Sequence, residues 1–289
     1  MNKIKVQYLR SPNNLLRMSR NDWTNDKLFE RLINNQSTRT YWDNIKTLCS
    51  RPEKTVFKRC ATLTRSQVQR ERRIGIDVLS QLGGAERPYQ AETLALYLRI
   101  LPKETDLKVL ESLLHAIGHN NTGMDNKGAE KLAALKTHRS AVVRFGVACA
   151  LKGVDTPAAI DTMITFSADK DNDIRDWATF ALGSQINRNN KAIREALWAR
   201  TNDANEDTRM EAIVGLAVRK DLRVPDLIRR ELQQGDAGTL LFEAITELGT
   251  REFLPDLKKL HKQSANDTTI HPTWRMKLEE TIATLQLSA

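Results

Sequence analysis

Few residues in this chain combine type and spacing in a way that could support chemistry. The five histidines are His115, His119, His138, His261 and His271. His115 and His119 stand four residues apart, the spacing that sets two imidazoles on one helix face as metal ligands. No third ligand falls in register, and Gly118 reads as the end of that helix, so no metal site is expected. The cysteines Cys49, Cys60 and Cys149 are odd in number, unevenly spaced and form no CxxC. They read as reduced thiols carried by helices, which suits a reducing compartment. A Gly-rich phosphate loop, HExxH, GxSxG and the nucleotide-binding fingerprint are all missing. The expectation is a protein that needs no cofactor and is not an enzyme.

The elements around these residues must then explain what the chain is for. It has 289 residues, 40% hydrophobic and 28% charged, with only 13 Gly and 8 Pro. That composition is ordinary for a folded soluble protein and favours long regular elements over a loop-rich β fold. No apolar run approaches the roughly 20 residues of a membrane span, and the basic start lacks the apolar core of a signal peptide, so a cytoplasmic location is expected. The net charge of +9 is uneven: residues 1–75 hold 17 Lys/Arg and 6 Asp/Glu, a net of +11, and the remainder holds 28 and 30, a net of −2. Basicity therefore belongs to the N-terminal quarter.

A repeat organises the rest. The pattern apolar-Arg-x-x-Ala-x-x-Ala-Leu is clearest in DNDIRDWATFALG from Asp171, and recurs in VVRFGVACALK from Val142 and DTRMEAIVGLA from Asp207. Weaker copies begin at Arg73, Leu107 and Leu240. The late apolar residue falls at Leu82, Ile117, Leu151, Leu182, Leu216 and Leu248, at intervals of 35, 34, 31, 34 and 32. Leu285 extends the series as a degenerate cap. Between these helices lie second amphipathic stretches such as TPAAIDTMITFSA, VPDLIRRELQQ and FLPDLKKLHKQ. Pro157, Pro225 and Pro255 sit near their starts, where a helix tolerates proline. Each repeat is thus a helix pair, A then B, that buries its apolar face only by stacking on its neighbours. Residues before about 67 fit the repeat poorly. They are read as a loosely ordered basic tail over 1–22 and a helical module over 23–66, with helices at about 26–35, 41–49 and 53–63. The repeats span 67–263 and a C-terminal capping helix 264–289.

These B-helix motifs resemble the HEAT-like repeats named after phycobilisome lyases, over residues 65–263 and most strongly 141–260. The resemblance implies an all-α, HEAT-type α-solenoid, a right-handed superhelix of antiparallel helix pairs. It does not imply lyase activity, because no chromophore-handling motif accompanies the repeat. The segments NEDTRMEAIVGLAVRKDLRVPDLIRREL and EAITELGTREFLPDL further resemble bacterial HEAT-repeat proteins regarded as immunity proteins for polymorphic toxins of the rearrangement-hotspot type. That resemblance implies a protein that neutralises a cognate toxin by stoichiometric binding.

Three sets of side chains are candidates for binding. Arg144, Arg175 and Arg209 share one position in successive B helices, inside the apolar arc. They are expected to form a structural ladder with carboxylates, for which Asp173 and Asp207, two residues ahead of Arg175 and Arg209, are the candidates. Two residues beyond the arginines runs a second column: Asp77, Glu111, Gly146, Trp177, Glu211 and Glu243, with Glu247 one turn further. It reads either as a solvated margin or as an acidic, concave partner-binding groove with an aromatic anchor, suited to a basic protein such as a toxin domain. The third set is the basic run with Lys58, Arg59, Arg65, Arg70, Arg72 and Arg73, which could contact phosphates or be a solvated face. Trp23, Tyr41 and Trp42 lie near it and read as core packing.

Asp176 beside Trp177 also invites comparison with alkylpurine DNA glycosylases, some of which are HEAT-like solenoids with a Trp and a catalytic Asp on a basic face. The acidic column around this pair argues against that reading. A nucleic-acid-binding solenoid and a generic interaction scaffold remain the alternatives to an immunity protein.

Overall fold

The computed structural model describes residues 19–235 and 237–287. Among the described residues all regular structure is helical, in sixteen α-helices. The expected N-terminal tail lies outside the described residues through residue 18; within the rest of it, Arg20–Asp22 form a short 3-10 turn. The chain divides into two compact units, Met1–Tyr89 and Gln90–Ala289.

The first unit holds α1 (Asn25–Asn34), α2 (Thr38–Cys49), α3 (Lys54–Leu63) and α4 (Gln69–Ser80). Thr24 and Ser37 start α1 and α2 by accepting from the amides of Lys27 and Thr40, which satisfies donors that no helical carbonyl reaches. Leu28, Phe29 and Leu32 of α1, Ile45 and Leu48 of α2, and Ile74 through Leu79 of α4 supply the buried face. Arg51 closes the unit by donating to the carbonyls of Trp23 and Asn21, both at 2.7 Å. The helix α4, which the repeat register assigns to the stack, packs here on α3 and α2. A Cβ at Gly75 would lie 2.6 Å from the Cys60 carbonyl, so only glycine permits that approach.

The second unit holds α5 (Gln90–Ile100), α6 (Leu107–Asn120), α7 (Asn126–Ala133), α8 (Ala141–Leu151), α9 (Pro157–Phe166), α10 (Asn172–Phe180), α11 (Lys191–Trp198), α12 (Glu206–Val218), α13 (Val224–Gln234), α14 (Thr239–Leu248), α15 (Leu254–Ser264) and α16 (Pro272–Leu287). The even-numbered helices pack on one another in sequence, α6 on α8, α8 on α10 and so on to α16, and form one layer. Each also packs on the odd-numbered helix before it, or after it in the case of α8 and α9; α7, α9 and α11 lie side by side in the second layer. Pro157, Pro225 and Pro255 occupy the first turns of α9, α13 and α15. The repeat residues Ile117, Leu151, Leu182, Leu216 and Leu285 are buried, each contributing about 1.5–3 kcal/mol of burial. Leu248 is only half-buried.

Glycines set the spacing of the even layer. Gly118 does not end its helix: α6 runs on to Asn120, and a Cβ at Gly118 would meet the Cys149 carbonyl of α8 at 2.8 Å. The helix α10 continues into a π-helical turn, Ala181–Gln185, whose Gly183 faces Gly215 of α12. Arg219, 5% exposed, locks this junction. Its guanidinium donates to the carbonyls of Leu182, Gly183, Gly215 and Ile186 at 2.6–2.8 Å. The π turn widens the helix end and turns these carbonyls toward one buried cation, which satisfies acceptors that no backbone amide serves.

Candidate functional site

The arginine column lies across the even layer as a chain of links. Arg144 donates from Nε and one Nη to the two oxygens of Asp169 at 2.7 and 2.9 Å, and to the His138 carbonyl at 2.9 Å. Arg175 repeats this with Asp203 at 2.8 and 2.9 Å and with the Asp169 carbonyl at 2.9 Å. Arg209 reaches the Asp203 carbonyl at 3.2 Å and Glu231 at 3.5 Å. The carboxylates that meet Arg144 and Arg175 are therefore Asp169 and Asp203, not Asp173 and Asp207. The reason is local. Asp169 and Asp203 stand in the turns before α10 and α12, where each also accepts from the amide two residues on. Asp173 and Asp207 are already inside those helices and face solvent. Arg144 as donor holds the Asp169 carboxyl below its usual range against the opposing effect of burial. For Asp203, burial would raise the carboxyl, but Arg175 and the Asn205 amide pull it below that range.

The second column divides. Asp77, in the first unit, is buried and accepts from the Tyr41 hydroxyl at 2.6 Å; burial first, then that carboxylate, drives the phenol's pKa far up. Gly146 is a contact point, where a Cβ would come within 2.9 Å of the Leu114 side chain. Glu111, Glu243 and Glu247 are exposed, while Trp177 and Glu211 are half-buried.

Trp177 is the centre of an aromatic file across three helices of the even layer. His115 of α6 lies 6.3 Å from Phe145 of α8, Phe145 lies 6.1 Å from Trp177 of α10, and Trp177 lies 5.8 Å from Phe180. The ammonium of Lys152, just past α8, sits 5.1 Å from the Trp177 ring centre, a cation–π contact. The indole Nε1 is buried without a hydrogen-bond partner among the described residues.

Beside the file, four carboxylates gather from three helices: Asp176 on α10, Asp207 and Glu211 on α12, and Glu243 on α14. Burial, then the charges of Asp176, Glu243 and Asp207, push the Glu211 carboxyl up to about 7. Burial also raises Asp176, helped by Asp207 and Asp173, while Thr208 and Arg175 oppose the rise. No ion pair reaches any of these four carboxylates among the described residues, because the nearest guanidiniums, Arg175 and Arg209, bind Asp203 and Glu231. The sequence reading placed Glu211 and Glu243 in one column with Trp177. It missed that Asp176 and Asp207 join them, a grouping that the i, i+4 spacing of Asp207 and Glu211 would have suggested.

The basic run of the first unit is largely engaged within the fold. Arg59 pairs with Asp26, Arg70 donates to the carbonyls of Leu32 and Asn35, and Arg72 to those of Ser66 and Gln67. Arg73 lies 5.9 Å from the Tyr41 ring; Lys58 and Arg65 are exposed. Trp23 is half-buried among Lys27, Arg31 and Arg20, Tyr41 is buried, and Trp42 is 51% exposed. The free thiols are poor nucleophiles, since burial pushes Cys49 up to about 12 and Cys149 up to about 11. Among the described residues no three His, Cys, Asp or Glu side chains come together as a metal site, and no helix is long and apolar enough to cross a membrane.

Fold and surface together define an all-α, HEAT-type α-solenoid repeat protein with an aromatic and acidic face on its even layer. Over 120 residues the chain is 37% identical to protein YibA of Escherichia coli strain K12, and equally to YibA of strain O157:H7; the match spans 41% of this chain and 42% of YibA, less than half the length of the relatives it matches. The crystal structure of E. coli YibA superposes with a TM-score of 0.72 at 23% identity, covering 93% of this chain and 94% of that one. A crystal structure of an engineered protein follows with a TM-score of 0.55 at 14% identity, over 90% of this chain and 78% of that one. No family model matches the chain.

Proposed function

We propose that this protein is a non-catalytic docking protein that binds a protein partner through the even layer of its second unit. The observation that carries this reading is the set of four carboxylates, without ion-pair partners, beside the half-buried Trp177. Leaving several like charges together costs stability unless an outside group compensates them. An aromatic ring at the centre of such a patch supplies the apolar contact that dominates many interfaces. The partner best suited is basic, steered by the acidic rim.

The finer reading is an immunity protein in the cytoplasm of a bacterium, which neutralises a cognate toxin by occupying it one to one. The C-terminal segments quoted above support it by resemblance. Nucleic acid is disfavoured at this face, where the carboxylates would repel phosphates, and a glycosylase role for Asp176 meets the same repulsion. Pull-down of the partner with Trp177→Ala and Glu211→Lys tests the docking face; unchanged capture by both variants removes it. Co-expression with the product of the neighbouring toxin-like reading frame tests the finer reading. Growth that this protein fails to rescue would leave a docking protein without the toxin link.

A further inference from the structure

The docking reading leaves open what chemistry the partner brings to the carboxylates, and the surroundings of Glu211 narrow it. Every charged group that faces Glu211 from a helix packed on α12 bears on the question. From α10 comes Asp176, with Asp173 behind it; from α12 itself Asp207; from α14 Glu243, with Glu247 one turn on. The nearby cations are Arg175, Arg209 and Lys152. The first two are held by Asp203 and Glu231, and the third lies over the Trp177 ring. The chain thus shows that the exposed side of this indole accepts an alkylammonium, while the carboxylates next to it have none.

Resting on the docking reading, we propose that Glu211, Asp176, Asp207 and Glu243 form the seat for one lysine or arginine side chain of the partner, with its aliphatic stem against Trp177. An alkyl stem with a cationic tip matches this surface, apolar at the ring and anionic beyond it. A carboxylate or phosphate of the partner would meet four like charges instead. Arrival of the cation favours the ionised form of Glu211, so the proton this group holds in the free protein near neutrality leaves as the cation docks. Binding and deprotonation are therefore linked. Affinity is full above the free-state value of about 7 and falls by up to about tenfold for each pH unit below it.

The experiment uses the full chain and a synthetic peptide of alternating lysine and arginine. Calorimetric titration at low salt is run at several pH values and in buffers of different ionisation heat. Binding that weakens on acidification, releases a fraction of a proton near neutral pH, and drops at least tenfold in the isosteric Glu211→Gln variant supports the seat. Thermal melting of Glu211→Gln verifies that the variant is folded. Peptide binding that ignores both pH and Glu211→Gln is diffuse surface attraction and overturns the proposal. So does absence of peptide binding. If the native partner is lost on Trp177→Ala but binds Glu211→Gln normally at every pH, the docking face stands and the cation seat fails. If Trp177→Ala also leaves the partner bound, both fail.

Discussion

Arg175 and Asp203 meet side by side across two repeats, with two parallel hydrogen bonds of 2.8 and 2.9 Å and side chains only 12% and 5% exposed. Because the Asp203 backbone carbonyl also accepts from Arg209, one aspartate ties together α10 and α12. Removing one partner leaves a buried charge without compensation, which costs more than the pair contributes when intact. Asp203→Asn and Arg175→Met should each lower unfolding free energy by about 3 kcal/mol. The double variant should lose less than the sum. Chemical denaturation of all three checks this, and additive losses would show that the two side chains act independently.

The same ladder predicts acid sensitivity. Asp169, Asp203 and Asp221 all have carboxyls held below the usual range, Asp221 down to about 2 by Arg223 and Arg194 against the effect of burial. A depressed carboxylate stabilises the fold fully above its unfolded value of about 3.9, and that contribution disappears as pH falls through the folded value. Stability should therefore decline between about pH 4 and pH 2, and Asp221→Asn should flatten the decline. Urea midpoints across that range measure it.

Glu211 has the opposite sign. Its folded value of about 7 lies above its ordinary 4.5, so the fold holds this proton more tightly than the unfolded chain, and stability is lost as pH rises from 4.5 to 7. Glu211→Gln should raise stability by about 1–2 kcal/mol near pH 8, after discounting for its partial exposure, and by little near pH 4. Thermal melts at the two pH values decide, and a destabilised variant at pH 8 would count against a strained carboxylate. A residue that weakens the fold at neutral pH is what a binding site retains at the expense of stability.

The junction of α10 with α12 depends on absent atoms. A Cβ at Gly215 would stand 2.5 Å from the Gly183 Cα, so Gly215→Ala forces the two helices apart and should cost about 1–3 kcal/mol. Arg219→Met, which leaves four buried carbonyls without a donor, should cost at least as much. Denaturant melts of the two variants provide the check. A neutral Gly215→Ala would mean the repeats slide freely.

Much of the fold was legible because the repeat is periodic. A leucine returning every 31 to 35 residues and prolines at three helix starts locate the second unit's helices. The short helices of the first unit fall within a few residues of their expected ends. Contacts that depend on turn geometry were less legible. Both DKDNDIR and DANEDTR contain two or more acidic residues ahead of the arginine. The productive one is the first, six residues back, because only there does the chain still run outside the helix. Gly118 looked like a terminator for a similar reason: sequence alone does not say whether glycine serves a left-handed turn or a close approach between helices. The acidic gathering was half legible, since Glu211 and Glu243 share a repeat position, whereas Asp176 joins them from the neighbouring position on α10.

The most direct test of docking through the even layer is a hydrogen-exchange footprint of the full chain with and without the partner that co-purifies with it. Protection should fall on α10, α12 and α14, at residues 172–180, 206–218 and 239–248, and leave α9, α11 and α13 unchanged. Protection confined to α9, α11 and α13, with α10, α12 and α14 exchanging as in the free protein, would contradict it.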